Sequence, residues 1–246
     1  GFRRADPTLH NISFDTISGS GPNGAIVHYR VTHDTNRTLD TNSLLLVDSG
    51  GQYPDGTTDI TRTMALGTPT DEMKDCFTYV LKGMISLSKT RFPSGLSGRY
   101  LDGLARAPLW ATGRDYDHGT GHGVGSFLSV HEGPQRISRV SHQPLLEGMI
   151  VSNEPGYYKA GAFGIRIENL IIVQRDETQA ADPQRTFMCF ETLTFVPIDR
   201  QLVNVALMNP SEISWLNSYH QMVWDKISPL LSGDDMAWLK VATQAI

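Results

Sequence analysis

The stretch Asp48 to Thr63, DSGGQYPDGTTDITRT, restricts what this chain can fold into more than any other. An apolar run, SLLLVD, enters it and ends on a carboxylate. A Gly/Pro-rich turn follows, and DITRT restarts an alternating pattern behind a second carboxylate, Asp59. By the rules of turns and strands this is a hairpin with an acid at each strand mouth. A carboxylate at the end of an apolar strand is costly to bury unless a cation or a donor meets it. Two such groups brought together repel each other, so positive charge is expected between them, and a pair of metal ions would supply it.

Two further carboxylates sit in apolar surroundings: Glu154 after MIVSN and Glu168 within GIRIENLIIV. Any one of the four could point to solvent from a strand with one wet face. All four together argue for burial. Four negative charges match two divalent cations, and one imidazole from the Gly/His-rich segment HGTGHGVG (118–125) would complete a five-ligand site. Oxygen-rich donor sets with one nitrogen suit manganese, cobalt or iron better than structural zinc, which prefers closed Cys/His tetrahedra.

Composition narrows the function classes. The net charge of −5 over 246 residues gives no electrostatic reason to expect nucleic acid or an anionic membrane surface as partner. No apolar run approaches the ~20 residues needed to span a bilayer. Cys76 and Cys189 are too few for a disulfide framework, so a reducing, cytoplasmic setting is expected. Asn36-Arg37-Thr38 fits a glycosylation acceptor and is read as chance.

In chain order, residues 1–22 read as an irregular lead-in, GAIVHYRV (24–31) as a strand carrying His28, and 43–48 as the next strand. The hairpin's second strand runs to about residue 66. Thr68-Pro69-Thr70-Asp71 reads as a helix start with Thr68 as N-cap, and apolar residues from Met73 to Leu87 recur at helical spacing over 69–90. A second helix is expected from Ser97 with Leu101, Leu104, Ala105, Leu109 and Trp110 inward, distorted in its last turn by Pro108. Residues 148–158, 163–173 and 185–198 read as strands. Asn209-Pro210-Ser211-Glu212 is a capping box for a helix to about 227, and a last short helix opens at 232–235. Elements grouped this way favour α+β with a mainly antiparallel sheet.

The order Asp48, Asp59, His122, Glu154, Glu168, with the two aspartates eleven residues apart, carries a resemblance. Together with GPNGAIVHY, VDSGGQY, TDITRT, HGTGHGVGSFLSVHEGP, SNEPGYY and GIRIEN, and continuing through LTFVPI to WLNSYH, it resembles the catalytic domain of the aminopeptidase P family, the Xaa-Pro aminopeptidases among the pita-bread metallopeptidases. The resemblance covers nearly the whole chain. It implies a pita-bread fold of two pseudo-symmetric halves, a curved antiparallel sheet covered by helices, over residues 1–246 as a single catalytic domain. It also implies a C-terminal fragment of a longer chain, with N-terminal domains and the usual first helix of the catalytic domain missing, and a homodimer in the full-length protein.

The site carried over residue by residue has Asp48 on one metal, His122 and Glu154 on the other, and Asp59 and Glu168 bridging both. Manganese leads as the metal, ahead of cobalt, iron or zinc. His28, His118 and His131 are implied to bind or orient substrate, and Arg166 to support the ligands. His10, His33, His142 and His220 match no motif and are assigned no role. The implied reaction is hydrolysis of the bond before a penultimate proline by water activated between the metals, with Glu154 as general base and His131 and His28 donating to the carbonyl oxygen. Tyr157 and Tyr158 are candidate pocket walls, and Thr61 and Thr63 candidate supports for Asp59. A prolidase cleaving Xaa-Pro dipeptides would use the same ligands. Metal-free creatinase-like relatives and a pita-bread domain reused for peptide binding are expected to lose ligands, and none is lost here.

Overall fold

The computed structural model describes residues 2–127, 129–178 and 181–246, so Leu128 of the Gly/His-rich segment lies outside it. The Ser43–Ser49 strand lies at the centre of a three-stranded antiparallel sheet, between Ile17–Ser20 and Ile60–Leu66. Its side chains alternate between faces, as a pleated strand requires, which puts Asp48 on the same buried face as Leu44 and Leu46. Asp48 is paired with Thr61 and Ser49 with Ile60, so Asp59 stands at the mouth of the neighbouring strand. Between the two strands the chain makes a smaller hairpin, Gly51–Tyr53 with Gly56–Thr57, which pairs with Asn11–Ile12 in a separate sheet.

The second half of the chain repeats the theme. Ile150–Asn153, Asn169–Arg175, Phe187–Thr192 and the two-residue strand Phe92–Pro93 form a four-stranded antiparallel sheet in that order. The helices Asp71–Ser88 and Arg99–Trp110 cover the sheets and pack closely on each other. A Cβ on Gly83 would lie 2.1 Å from the carbonyl oxygen of Ala105, so only glycine permits that approach. Cys76, Phe77, Val80, Leu81, Met84 and Ile85 of the first helix join Leu44, Ile165 and the C-terminal helix Pro210–Ile227 in one core. Leu87, Leu101, Val151, Ile171 and Val173 form a second. The capping box forms as expected: Asn209 accepts from the Glu212 N–H, and Glu212 accepts from the Asn209 N–H at 2.8 Å.

Several expectations are corrected. Residues 17–20 are not lead-in but a strand, fixed only by pairing with Ser43–Ser49. Residues 24–31 are not a strand. Gly21–Ala25 is a 3-10 turn, and its backbone presses on Gly164, where a Cβ would lie 1.7 Å from the Gly24 carbonyl oxygen. The expected strand 148–158 is two, Ile150–Asn153 and Gly156–Lys159, because Pro155 has no N–H to continue a ladder. Likewise 163–173 divides into Phe163–Arg166, which pairs with Gly156–Lys159, and Asn169–Arg175. The first long helix is capped by Thr70, whose hydroxyl accepts from the Met73 N–H, and not by Thr68. Trp110 is 47% exposed, with the Arg139 guanidinium over its ring. Among the described residues no helix is long and apolar enough to cross a membrane.

Candidate metal centre

Two interruptions between strands, at Glu154 and at Glu168, each deliver a carboxylate to one place. Glu154 follows Ile150–Asn153 and is held there by its N–H, which donates to Thr120 O at 2.8 Å. The Ser152 hydroxyl donates to Glu154 Oε1 at 2.9 Å and accepts from the His122 N–H at 3.0 Å, so it ties the two residues together. His122 lies on the short strand Gly121–His122, paired with Arg136–Ile137. Its Nδ1 donates to Gly123 O at 2.9 Å, and its Nε2 faces Glu154 Oε1 at 3.2 Å and Asp59 Oδ2 at 3.4 Å. Glu168 sits in the gap between two strands. Its N–H donates to Thr61 O at 3.1 Å, and its Oε2 accepts from the Thr61 hydroxyl at 2.7 Å. Asp48 Oδ2 accepts from Arg166 Nη2 at 2.6 Å, whereas Asp48 Oδ1 is buried without a partner.

Asp59, His122 and Glu168 each present a donor atom within 4.8 Å of the others. A cavity of about 690 Å³ takes in all five carboxylate and imidazole groups, together with His28, His118, His131 and Arg166. Its apolar lining includes Phe14, Ile17, Val27 and Val130. Phe14 and Ile17 lie in the lead-in, where no sequence signal marked them.

The electrostatics test whether these groups fit metal. Burial lifts the Asp48 pKa to about 7 against the pull of Arg166, and Asp59 adds to the rise. Burial likewise pushes Glu168 well above the carboxylate range, helped by Asp59, Glu154 and Asp48. Burial would lower the pKa of His122, but its hydrogen bonds to Asp59 and Glu154 outweigh that and lift it to about 11. Burial would raise Glu154, yet His122 draws it down to about 2. Carboxyl pKa values pushed up by burial and by one another, beside an imidazole pushed up by its carboxylate neighbours, describe a cluster short of positive charge. With the orphaned Asp48 oxygen, this donor set fits divalent cations.

The surrounding histidines are placed differently from one another. The His131 ring lies 4.2 Å from that of His122, and burial and the neighbouring His122 lower its pKa. His118 donates from Nδ1 to Gly119 O at 2.8 Å and accepts at Nε2 from the Tyr158 hydroxyl at 2.9 Å. That hydroxyl accepts from Arg166 Nη1 at 2.8 Å. Tyr158 therefore stands behind the cavity wall, linking Arg166 to His118. His28 is exposed at the cavity and belongs to no strand. Thr61 and Thr63 do not reach Asp59: Thr61 serves Glu168, and Thr63 donates to the Arg166 carbonyl at 3.0 Å.

Residues 2–175 match metallopeptidase family M24, and residues 186–246 match the C-terminal region of peptidase M24. Aminopeptidase P2 of Arabidopsis thaliana is 54% identical over 241 residues, covering 97% of this chain and 34% of that protein. Probable Xaa-Pro aminopeptidase P of Laccaria bicolor is 49% identical, covering 97% of this chain and 38% of that protein. Among solved structures, X-prolyl aminopeptidase from Caenorhabditis elegans, described as a cytosolic enzyme with a di-nuclear active site, superposes with a TM-score of 0.95 at 39% identity, over 99% of this chain and 40% of that one. Prolidase from Pyrococcus furiosus gives a TM-score of 0.62 at 30% identity, over 68% of this chain and 48% of that one. The pita-bread fold is thus shared with these enzymes, while the chain spans 34–38% of the length of the two curated relatives.

Proposed function

This chain belongs to metallopeptidase family M24, and we propose that it is the catalytic domain of an Xaa-Pro aminopeptidase, which removes an N-terminal residue that precedes proline. The observation that carries this reading is the meeting of Asp48, Asp59, His122, Glu154 and Glu168 in one cavity beside three histidines. These five side chains would hold two divalent ions, with Asp59 and Glu168 shared and manganese the favoured metal for so oxygen-rich a set. When bound, such ions polarise the scissile carbonyl and lower the pKa of the attacking water.

The protein's own groups supply the rest. Glu154 is oriented by the Ser152 hydroxyl, which places it to take a proton from water and pass it to the leaving nitrogen. His131, kept neutral by its depressed pKa, retains an N–H to donate to the carbonyl oxygen as charge develops, and His28 approaches from the cavity edge. Arg166 and Tyr158 hold Asp48 and His118 in place. A bond to proline offers no amide N–H, so selection rests on fitting the ring against apolar surface, for which Phe14, Ile17, Val27 and Val130 are available. Both cysteines are unpaired, which supports a cytoplasmic setting.

Hydrolysis of an Xaa-Pro-Yaa tripeptide, an Xaa-Ala-Yaa tripeptide and an Xaa-Pro dipeptide, with metal content measured alongside, tests the reading. The Xaa-Pro-Yaa peptide should be cleaved fastest and chelator should stop it. Faster cleavage of the dipeptide would instead make the protein a prolidase. Absence of bindable divalent metal would overturn both.

A further inference from the structure

Glu168 lies between the strands Phe163–Arg166 and Asn169–Arg175, which belong to different sheets, so no regular ladder holds its peptide. Two residues of Ile60–Leu66 do so instead. Thr61 takes the Glu168 N–H on its carbonyl and gives its hydroxyl to Oε2. Arg62 donates from Nη1 to the Glu168 carbonyl at 2.5 Å and to Thr61 O at 2.9 Å.

The rest of the guanidinium is engaged by the C-terminal part of the chain. Nε donates to Pro197 O at 3.1 Å, and Nη2 donates to Val196 O at 2.8 Å, to the Tyr219 hydroxyl at 2.9 Å and to Asn169 Oδ1 at 2.7 Å. Tyr219 is itself immobilised: it is 1% exposed on the helix Pro210–Ile227 and stacks on Trp215 with ring centroids 5.3 Å apart. Every acceptor that Arg62 meets is a neutral carbonyl, amide or hydroxyl oxygen, although the residue is only 7% exposed. A buried guanidinium is costly. Here its fork is used to fix backbone oxygens in a plane, which a lysine's single ammonium could not reproduce.

We propose that Arg62 is a positioning residue for Glu168, locked by Tyr219, so that the C-terminal segment sets how tightly the metal centre holds its ions. The proposal rests on the metal-centre reading above. A purely structural tie between strand and C-terminal segment would affect folding alone; a positioning tie affects the metal as well. The neighbouring contact of Lys82 Nζ with Glu212 Oε2 at 2.7 Å and Leu207 O at 2.8 Å also fastens the C-terminal segment, but away from the carboxylates, and serves as the control.

The experiment titrates manganese into the purified metal-free protein against a graded chelator, for wild type, Tyr219→Phe, Arg62→Lys and Lys82→Met, and records the thermal midpoint of each metal-free form. Support of ligands from behind is worth about 10–100-fold in metal affinity. Tyr219→Phe should weaken manganese binding by about tenfold and Arg62→Lys by up to about 100-fold, whereas Lys82→Met lowers the midpoint and leaves manganese affinity as in wild type. Wild-type affinity in Tyr219→Phe and in a folded Arg62→Lys overturns the proposal, as does a loss of affinity in Lys82→Met matching theirs. A wild-type protein that takes up neither manganese, cobalt nor zinc overturns the metal-centre reading, and that failure shows without any variant.

Discussion

Arg166 donates from Nη2 to Oδ2 of Asp48 at 2.6 Å, while the other oxygen of that carboxylate is buried and unpartnered. The pairing is one-sided. One oxygen is fixed to the protein, and the second is left without a partner in the wall of the cavity it shares with Asp59, His122, Glu154 and Glu168. Arg166 Nε also donates to the Thr61 hydroxyl at 3.1 Å and Nη1 to Tyr158 at 2.8 Å, so one planar fork sets three groups. Arg166→Lys keeps the charge but cannot span them. The expected result is roughly a 10–100-fold loss of metal affinity with a parallel fall in kcat, read by metal per chain and steady-state rates. Unchanged values would show that Asp48 needs no such orientation.

Glu154→Gln should leave the fold intact, because Gln can still accept from Ser152 Oγ and its N–H can still donate to Thr120 O. It removes the base. Turnover of an Xaa-Pro peptide should fall by at least about 10²–10⁴-fold, with circular dichroism unchanged. Near-normal turnover would contradict the role proposed for Glu154.

Asp59→Asn should release metal along with activity, since Asp59 Oδ2 and His122 Nε2 face each other across the cluster at 3.4 Å and the proposed role of Asp59 is to serve both ions. Full metal occupancy in this variant, measured by elemental analysis, would rule out the shared role.

Thr61→Val is nearly isosteric and deletes the hydroxyl that donates to Glu168 Oε2 at 2.7 Å and accepts from Arg166 Nε. A buried carboxylate then loses its donor. Stability should drop by about 1–3 kcal/mol and kcat by roughly tenfold, followed by chemical denaturation and by rates.

His220 supplies a pH test remote from the metal centre. Burial lowers its pKa to about 4, with Arg200 and Arg62 adding to the fall, and its Nε2 accepts from the Ile198 N–H at 3.1 Å. The unfolded imidazole binds its proton near 6.5, so between pH 6.5 and 4 the unfolded state holds more protons. The stability contributed by the neutral ring is therefore complete above pH 6.5 and is lost as pH falls towards 4. Relative to His220→Gln, which can still accept from Ile198, the wild type should lose roughly 3 kcal/mol across that window. Parallel pH profiles in the two proteins would refute the assignment.

Residues close in the chain carried the readings that needed no tertiary structure. The apolar run Leu44 to Val47 ending on Asp48 announces a strand that carries a carboxylate into apolar surroundings, while the face it occupies is fixed only once the strand is paired. Asn209 and Glu212 announce their own capping box, since its hydrogen bonds close within one turn. The four candidate carboxylates stood out for a related reason, since an acid beside apolar strands needs a partner wherever it ends up, whereas His122 was singled out within its Gly/His-rich segment only by the family resemblance.

Contacts between distant residues decided the rest. Ile17–Ser20 becomes a strand only by meeting Ser43–Ser49, and 24–31 fails to become one because Gly24 must press on Gly164. Thr61 lies on Asp59's side of the chain, yet it spends its hydroxyl on Glu168, a residue 107 positions away. Arg62 shows no sequence signal of its own, and its partners, from Glu168 to Tyr219, are brought together only when the C-terminal helix docks. Local periodicity determines which residue types face inward; which of them meet depends on the register and approach of elements more than a hundred residues apart, and only the folded chain sets those.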